Sequence, residues 1–148
     1  MMLVPPATSL SDQVQTINGP DAPLISVVVP VYKEEGNIRP FLDRAVPVLE
    51  RLGPYEIIFC LDPSPDATEA SIVEEAARNP HIGLLVFSRR FGQPAATIAG
   101  ILNCRGHWCA VIDVDLQDPP EIIETLWARH RRVTTWSPPA APPARVRP

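Results

Sequence analysis

Residues 110–121 of this chain read AVIDVDLQDPPE, and this stretch indicates both a fold and the position of a site. The apolar run from Trp108 to Ile112 is typical of a buried strand, and it ends in Asp113 and Asp115, two carboxylates one residue apart. Side chains at i and i+2 of an extended chain point to the same side, so both carboxylates can face one space. They would repel each other there unless a cation lay between them.

Two interpretations of this acidic pair are open. Short acidic residues after a strand commonly cap the following helix, and for an isolated Asp-x-Asp this is the more frequent explanation. Alternatively, the pair binds a divalent cation, and because the available ligands are oxygens, Mg²⁺ or Mn²⁺ is favoured over Zn²⁺. The rest of the chain shifts the balance towards a metal.

The composition indicates one globular domain with flanking segments. The chain has 148 residues, 45% of them hydrophobic, and a net charge of −4, which does not suggest nucleic-acid binding. Prolines are concentrated at both ends, which predicts a flexible leader at 1–23, a domain at 24–132 and a proline-rich disordered tail at 133–148. No signal peptide or membrane-spanning run is expected, and three cysteines without metal-ligand spacing indicate a reduced, cytoplasmic protein.

Four apolar segments alternate with helical patterns along the domain. The predicted strands are 24–31, 55–61, 82–87 and 108–112, and the predicted helices are 37–52, with Asn37 as N-cap, 67–78, 94–104 and 119–132. This order predicts an α/β fold with a doubly wound, mostly parallel sheet and helices on both faces. Ligands of such sheets bind beyond the carboxyl ends of the strands, so the polar loops that follow the four strands are expected to meet at one site.

The side chains of these loops suit a phosphorylated ligand. Carboxylates for a metal, together with Arg89 and Arg90 for anion contact, match a diphosphate. Neither Gly-x-x-x-x-Gly-Lys nor Gly-x-Gly-x-x-Gly occurs, which argues against P-loop and dinucleotide-binding enzymes. The metal is therefore expected to meet the phosphate charge, and the three histidines are interpreted as structural.

Three segments resemble motifs of family 2 glycosyltransferases, in the order found in that family. Residues 28–38, VVPVYKEEGNI, resemble its opening Pro-Val-Tyr-Asn-Glu-Glu motif, and residues 88–96, SRRFGQPAA, are similar to its Ser-Arg-Asn-Phe-Gly segment. Residues 113–121, DVDLQDPPE, are similar to its metal motif in the polyprenyl-phosphate form. The resemblance covers about residues 24–132 and points to polyprenyl- or dolichol-phosphate mannosyl- and glucosyltransferases.

The resemblance implies a nucleotide-sugar site in a GT-A fold and inverting, metal-assisted transfer of the sugar to an acceptor, expected to be a polyprenyl phosphate. The implied nucleotide-binding residues are Pro30, Tyr32, Glu34, Asp62, Arg89 and Asp113. The implied catalytic residues are Asp113 and Asp115, and the implied ligands of Mg²⁺ or Mn²⁺ are Asp115 and Gln117. Asp118 is equally consistent with helix capping, whereas Glu35 and Arg90 are interpreted as solvated loop residues.

The chain departs from the family pattern in two motifs. Residues 61–66, LDPSPD, stand where the family has Asp-Asp-Gly-Ser-x-Asp, so one carboxylate and the glycine are missing and the base preference is open. Lys33 replaces the common Asn and adds a positive charge near the expected phosphates or points to solvent.

The family continues beyond the fourth helix with strands that build the acceptor side. Residues 133–148 are too rich in proline to form such strands, so the sequence suggests a C-terminally truncated chain. Truncation would leave an open sheet flank with exposed apolar surface, through which an oligomer could form.

Two functional hypotheses follow. One is an active glycosyltransferase associated with the cytoplasmic face of a membrane, and the other is an inactive remnant that binds only nucleotide and metal. A third class, a signalling receiver or phosphatase-like domain, fits less well, because its phospho-acceptor aspartate follows an early strand, whereas the acidic pair of this chain follows the fourth.

Overall fold

The structure is a computed structural model that describes residues 23–133, so nearly all of the predicted leader and tail lie outside the described residues. Four strands alternate with four helices within this range. In chain order they are β1 Ile25–Val31, α1 Ile38–Leu52, β2 Tyr55–Leu61, α2 Thr68–Arg78, β3 Ile82–Val86, α3 Gln93–Asn103, β4 Trp108–Val111 and α4 Ile122–Val133.

The four strands form one parallel sheet in the order β3-β2-β1-β4. Ile25 at the start of β1 pairs with Tyr55 of β2 on one side and with Trp108 of β4 on the other. The predicted parallel α/β sheet is therefore confirmed. Because the chain steps from β1 to β2 to β3 and then returns to the far side of β1, the strand order reverses between β1 and β4, where such sheets place their ligands.

Helices cover both faces of the sheet, as predicted. On one face, buried side chains of β1 and β2 pack with Phe41 of α1, Ile72 of α2 and Ile123 of α4. On the other face, α3 lies against Val28 and Cys60 through Ala96. All seven residues of β1 are buried, which explains its nearly continuous apolar sequence.

Gly100 lets α3 approach the sheet closely. A Cβ atom at this position would lie 2.3 Å from Val28 Cγ1 and 2.7 Å from Cys60 Sγ, both closer than van der Waals contact allows. The helix therefore rests directly on the strands that carry the first two loops of the site.

A polar network fixes the turn between α3 and β4 at the opposite edge of the sheet from the site. Glu56 is 6% exposed as a whole residue, and its carboxylate accepts hydrogen bonds from Ser26 Oγ at 2.6 Å and from the backbone N–H of Arg105 at 2.6 Å. The Arg105 guanidinium donates to the same carboxylate through Nε at 2.8 Å and forms an ion pair at 2.7 Å. The Gly106 N–H donates to Ser26 Oγ at 2.7 Å, so the turn is tied to both β1 and β2.

One local prediction was wrong, and a second was correct in position only. The last helix begins at Ile122 rather than at Pro119, because Pro120 disfavours a helical conformation for the residue before it. Asn37 stands at the N-cap of α1, but its side chain makes no capping hydrogen bond. Its amide Nδ2 instead donates to Glu34 Oε2 at 2.6 Å.

The sheet is open beside β4 within the part of the chain that the structure describes. Val111 of β4 is 46% exposed, and Ile98 and Leu102 of α3 are 58% and 78% exposed. Apolar surface next to the fourth strand was expected from the sequence. Between residues 23 and 133, no helix is both long enough and apolar enough to cross a membrane.

Candidate functional site

The loops that follow the four strands line one cavity of about 300 Å³ at the carboxyl edge of the sheet. The lining includes six residues that the sequence assigned to the site: Pro30, Tyr32, Glu34, Asp62, Asp113 and Asp115. Arg89 and Gln117 are not among the lining residues. The predicted convergence of the four loops on one space is therefore confirmed, and the space lies where the strand order reverses.

Asp113 and Asp115 form the acidic wall of the cavity. Alternation continues past the end of β4: Ile112 and Val114 are buried, whereas both carboxylates are exposed and line the same space. Gln93 Nε2 donates to Asp113 Oδ1 at 2.8 Å, and the Gln117 N–H donates to Asp115 Oδ1 at 3.1 Å. One oxygen of each carboxylate therefore remains without a hydrogen bond from the described residues.

This acidic wall fits a hard divalent cation that is bound by protein carboxylates on one side and by the phosphates of a substrate on the other. None of the ion pairs between described residues uses Asp113 or Asp115, and residues 23–133 contain no cluster of three or more Asp, Glu, His or Cys that could hold a metal alone. Mg²⁺ sites commonly combine one or two carboxylates with substrate phosphates and water. The carboxylates of Asp113 and Asp115, which face an open cavity, match that arrangement. They do not form a complete cage of protein ligands around a metal. The Gln117 side chain is exposed outside the lining, so its role as a ligand stays a prediction.

The loop after β1 is held by the loop after β2. The backbone N–H of Glu34 donates to Thr68 Oγ1 at 2.8 Å, and Glu35 Oε2 accepts a hydrogen bond from the Ala67 N–H at 2.7 Å. Glu35, expected to be only a solvated loop residue, thus accepts a hydrogen bond from the N-cap residue of α2.

Asp66 helps to order the same junction. Its carboxylate accepts hydrogen bonds from the hydroxyl of Ser64 and from Thr68 Oγ1, the latter at 2.7 Å. The Ser64 bond is the main cause that lowers the Asp66 pKa to about 2, because it favours the ionised carboxylate.

Asp62 holds the loop between β3 and α3. It is 3% exposed, and its two oxygens accept hydrogen bonds from the Phe91 N–H at 3.0 Å and the Gly92 N–H at 2.8 Å. Gly92 has φ +88°, a conformation that favours glycine, so the loop can turn both N–H groups towards the carboxylate. Asp62 borders the cavity, and the nucleoside contact implied by the resemblance stays a prediction.

The two arginines of this loop differ in position. Arg90 lines the cavity, with its Cζ atom 4.1 Å from the centroid of the Tyr32 ring. Arg89 lies outside the lining, with its Cζ atom 4.7 Å from the centroid of the Phe91 ring. Sequence reasoning named Arg90 with Arg89 for anion contact but interpreted Arg90 as a solvated loop residue, whereas the structure places Arg90 in the cavity lining. One signal in the sequence could have indicated this place. Arg90 stands two residues before Gly92, where the Ser-Arg-Asn-Phe-Gly segment that this loop resembles has Asn.

Comparison with known proteins agrees with this geometry. Residues 26–135 match the family model described as Glycosyl transferase family 2. The chain is 45% identical over 104 residues to the bactoprenol glucosyl transferase of Shigella phage SfX, covering 69% of this chain and 34% of that protein. It is 37% identical over 108 residues to the undecaprenyl-phosphate 4-deoxy-4-formamido-L-arabinose transferase of Shewanella sediminis, covering 71% and 32%. The chain thus spans about one third of the length of the curated relatives it matches.

Solved structures share the fold at low sequence identity. The mannosyltransferase PcManGT from Pyrobaculum calidifontis, solved with GDP-Man and Mn²⁺, gives a TM-score of 0.55 at 21% identity, covering 71% of this chain and 33% of that one. TarS 1–349 of S. aureus gives a TM-score of 0.55 at 22% identity, covering 73% and 32%. The neighbours have the GT-A fold, as predicted for this chain. With the parallel sheet, the cavity at its carboxyl edge and the match over residues 26–135, the chain belongs to glycosyl transferase family 2.

Proposed function

We propose that this protein is a metal-dependent glycosyltransferase that binds a nucleotide-diphosphate sugar in the cavity and transfers the sugar, with inversion, to a polyprenyl phosphate. The observation that carries the proposal is the meeting of Asp113 and Asp115 with Tyr32, Glu34 and Arg90 around one cavity. Family membership supports the reaction class, and the names of the bactoprenol and undecaprenyl-phosphate relatives support the acceptor. The GDP-Man and Mn²⁺ complex of a structural neighbour supports the donor class and a divalent metal.

The carboxylates are assigned the catalytic end of the cavity. Asp115, with Gln117, would hold Mg²⁺ or Mn²⁺, which when bound offsets the negative charge that develops on the departing diphosphate. Asp113, whose Oδ1 is held by Gln93, faces the same space.

The remaining assigned residues bind the nucleotide, and they are Pro30, Tyr32, Glu34, Asp62 and Arg89. All of these except Arg89 border the cavity. An acceptor phosphate is largely ionised near neutral pH and does not need a strong general base. This agrees with a cavity lining that contains no histidine among the described residues.

The acceptor would be a lipid, so the proposed reaction takes place at a membrane surface. The predicted oligomer through the open flank is a separate proposal, supported by the edge position of β4 in the sheet of residues 23–133 and by Val111, which is 46% exposed.

A second candidate function is binding of nucleotide and metal without turnover. It is favoured by one observation, that every cavity-lining residue with an assigned role is assigned to nucleotide or metal, and none of the described residues is assigned to an acceptor. The two candidates share the donor site and differ in whether an acceptor is used.

One experiment tests both candidates. Binding of UDP and GDP to the full chain is measured by calorimetry with Mn²⁺ and with EDTA, and transfer from UDP-glucose or GDP-mannose to a short-chain polyprenyl phosphate is measured in detergent micelles. Binding with transfer supports the enzyme, and binding without transfer supports the second candidate. No nucleotide binding even with metal would contradict both.

The variant Asp115→Asn tests the metal assignment. Loss of one ligand charge should weaken Mn²⁺-dependent nucleotide binding by about tenfold or more, while the melting temperature is unchanged because the side chain is exposed. The matched control is Asp118→Asn, an exposed carboxylate on the same turn that lies outside the lining, and it should bind as the wild type does. Equal loss in both variants would indicate a general charge effect instead of a ligand.

A further inference from the structure

The cavity has an unbalanced charge for a site that binds a diphosphate. Its lining contains four carboxylates, those of Glu34, Asp62, Asp113 and Asp115. Arg90 is the single cationic side chain in the lining, within the part of the chain that the structure describes. If a phosphorylated ligand binds without a metal, the Arg90 guanidinium is therefore the one charged side chain of this lining that attracts its phosphates.

Arg90 keeps its charge available to a ligand. Its Cζ atom lies 4.1 Å from the centroid of the Tyr32 ring, a contact that orients the guanidinium without neutralising it. None of the ion pairs or hydrogen bonds between residues 23 and 133 uses the Arg90 side chain. A guanidinium has five N–H donors in a planar fork and can bind a phosphate through two of them.

The loop that carries Arg90 is fixed on its C-terminal side. The next two residues, Phe91 and Gly92, donate their N–H groups to the buried Asp62, and Gln93 donates to Asp113. These three hydrogen bonds limit the positions that Arg90 can adopt. The loss of conformational entropy when a ligand binds is correspondingly smaller.

Resting on the proposed function, we propose that Arg90 is a specificity-determining residue of the donor site, whose guanidinium binds the diphosphate of the nucleotide directly and independently of the metal. Within the described residues, Arg90 supplies the single positive charge of a lining that otherwise contains four carboxylates. Part of the preference for a nucleoside diphosphate over a nucleoside should then survive removal of the metal.

The test is calorimetric binding of UDP and uridine, and of GDP and guanosine, to the full chain in EDTA and in Mn²⁺. We expect the wild type in EDTA to bind the preferred diphosphate at least about tenfold tighter than its nucleoside, the factor expected of a charged hydrogen bond. Arg90→Asn should remove this preference and retain binding in Mn²⁺, and Arg90→Lys should restore part of it.

Two arginine variants separate a local contact from net charge. Arg129→Asn makes the same charge change on α4, outside the cavity lining, and should leave the preference intact. Arg89→Asn tests the neighbouring guanidinium, which contacts Phe91. Thermal melts of all variants establish that each is folded, and the exposure of Arg90 makes a folding defect unexpected.

The outcomes separate the inference from the function on which it rests. Wild type that binds nucleotide in Mn²⁺ but shows no diphosphate preference in EDTA overturns the inference alone. So does a preference that Arg90→Asn leaves unchanged, or one that Arg89→Asn removes instead. Absence of nucleotide binding in Mn²⁺ overturns the proposed function, and the inference with it.

Discussion

Replacement of Glu56 by glutamine should destabilise the protein by about 2 kcal/mol. The Glu56 side chain is 7% exposed, and its carboxylate accepts hydrogen bonds from the Arg105 guanidinium, the Arg105 N–H and the Ser26 hydroxyl. The side chain of glutamine has one oxygen and one N–H₂ group, so the N–H₂ group would face at least one of these donors. A hydrogen bond to a charged group contributes about 1.5–3 kcal/mol. Because the Arg105 side chain is 62% exposed, water replaces part of the interaction, and the lower half of that range applies.

Glu56→Ala should cost more than Glu56→Gln. It also leaves the Ser26 hydroxyl and the Arg105 N–H, which donate to Glu56 at 2.6 Å, without their acceptor. An unsatisfied buried donor costs about 1–3 kcal/mol, so the total should reach about 4 kcal/mol.

The assay is urea unfolding followed by tryptophan fluorescence, with Glu74→Gln as the matched control. Glu74 pairs with Arg78 on the surface of α2, where both side chains are more than half exposed, so its replacement should cost less than about 1 kcal/mol. The slope of the transition should stay constant, because each variant exposes the same surface on unfolding. A Glu56→Gln variant as stable as Glu74→Gln would refute the assignment of this network as a buried anchor.

Three further predictions concern other parts of the structure. The pKa of Asp66 is lowered from 3.8 to about 2, mainly by the hydrogen bond from Ser64. The ionised carboxylate therefore stabilises the fold above pH 3.8, and this contribution is lost as the pH falls towards 2. In Asp66→Asn, the urea midpoint of unfolding should depend less on pH between pH 2 and 3.8 than in the wild type. Gly100→Ala should cost about 1–3 kcal/mol by urea unfolding, because its Cβ would meet Val28, and a neutral result would mean that α3 can shift. Burial raises the pKa of Cys60 to about 11, so this thiol should react with a disulfide reagent at pH 8 far more slowly in the native protein than in urea; equal rates would contradict its burial.

The fold could be predicted because its signals are local. The apolar run from Trp108 to Ile112 ends in polar residues, and the same pattern occurs three times earlier, so four strands and a parallel sheet follow from the sequence. The meeting of the loops followed from topology alone, since the carboxyl ends of parallel strands share one edge.

The parts that could not be predicted depend on partners distant in the sequence. Whether Arg89 or Arg90 enters the cavity depends on how Asp62, in a different loop, holds the residues that follow them. The buried position of Glu56 likewise depends on Arg105, whose place beside it arises only after the sheet has formed. A single sequence contains no spacing or periodicity that indicates such pairs.

The position of β1 between β2 and β4 has a consequence for synthesis on the ribosome. Ile25 pairs with Tyr55, which emerges early, and with Trp108, which emerges after two more helices have been made. A nascent chain can thus align β1, β2 and β3 while the other side of β1 still has unpaired backbone groups and is open to chaperones or to a neighbouring nascent chain. The cavity is completed only when β4 pairs with β1. Nucleotide should therefore stabilise the newly made protein only after the residues beyond Asp115 have left the ribosome.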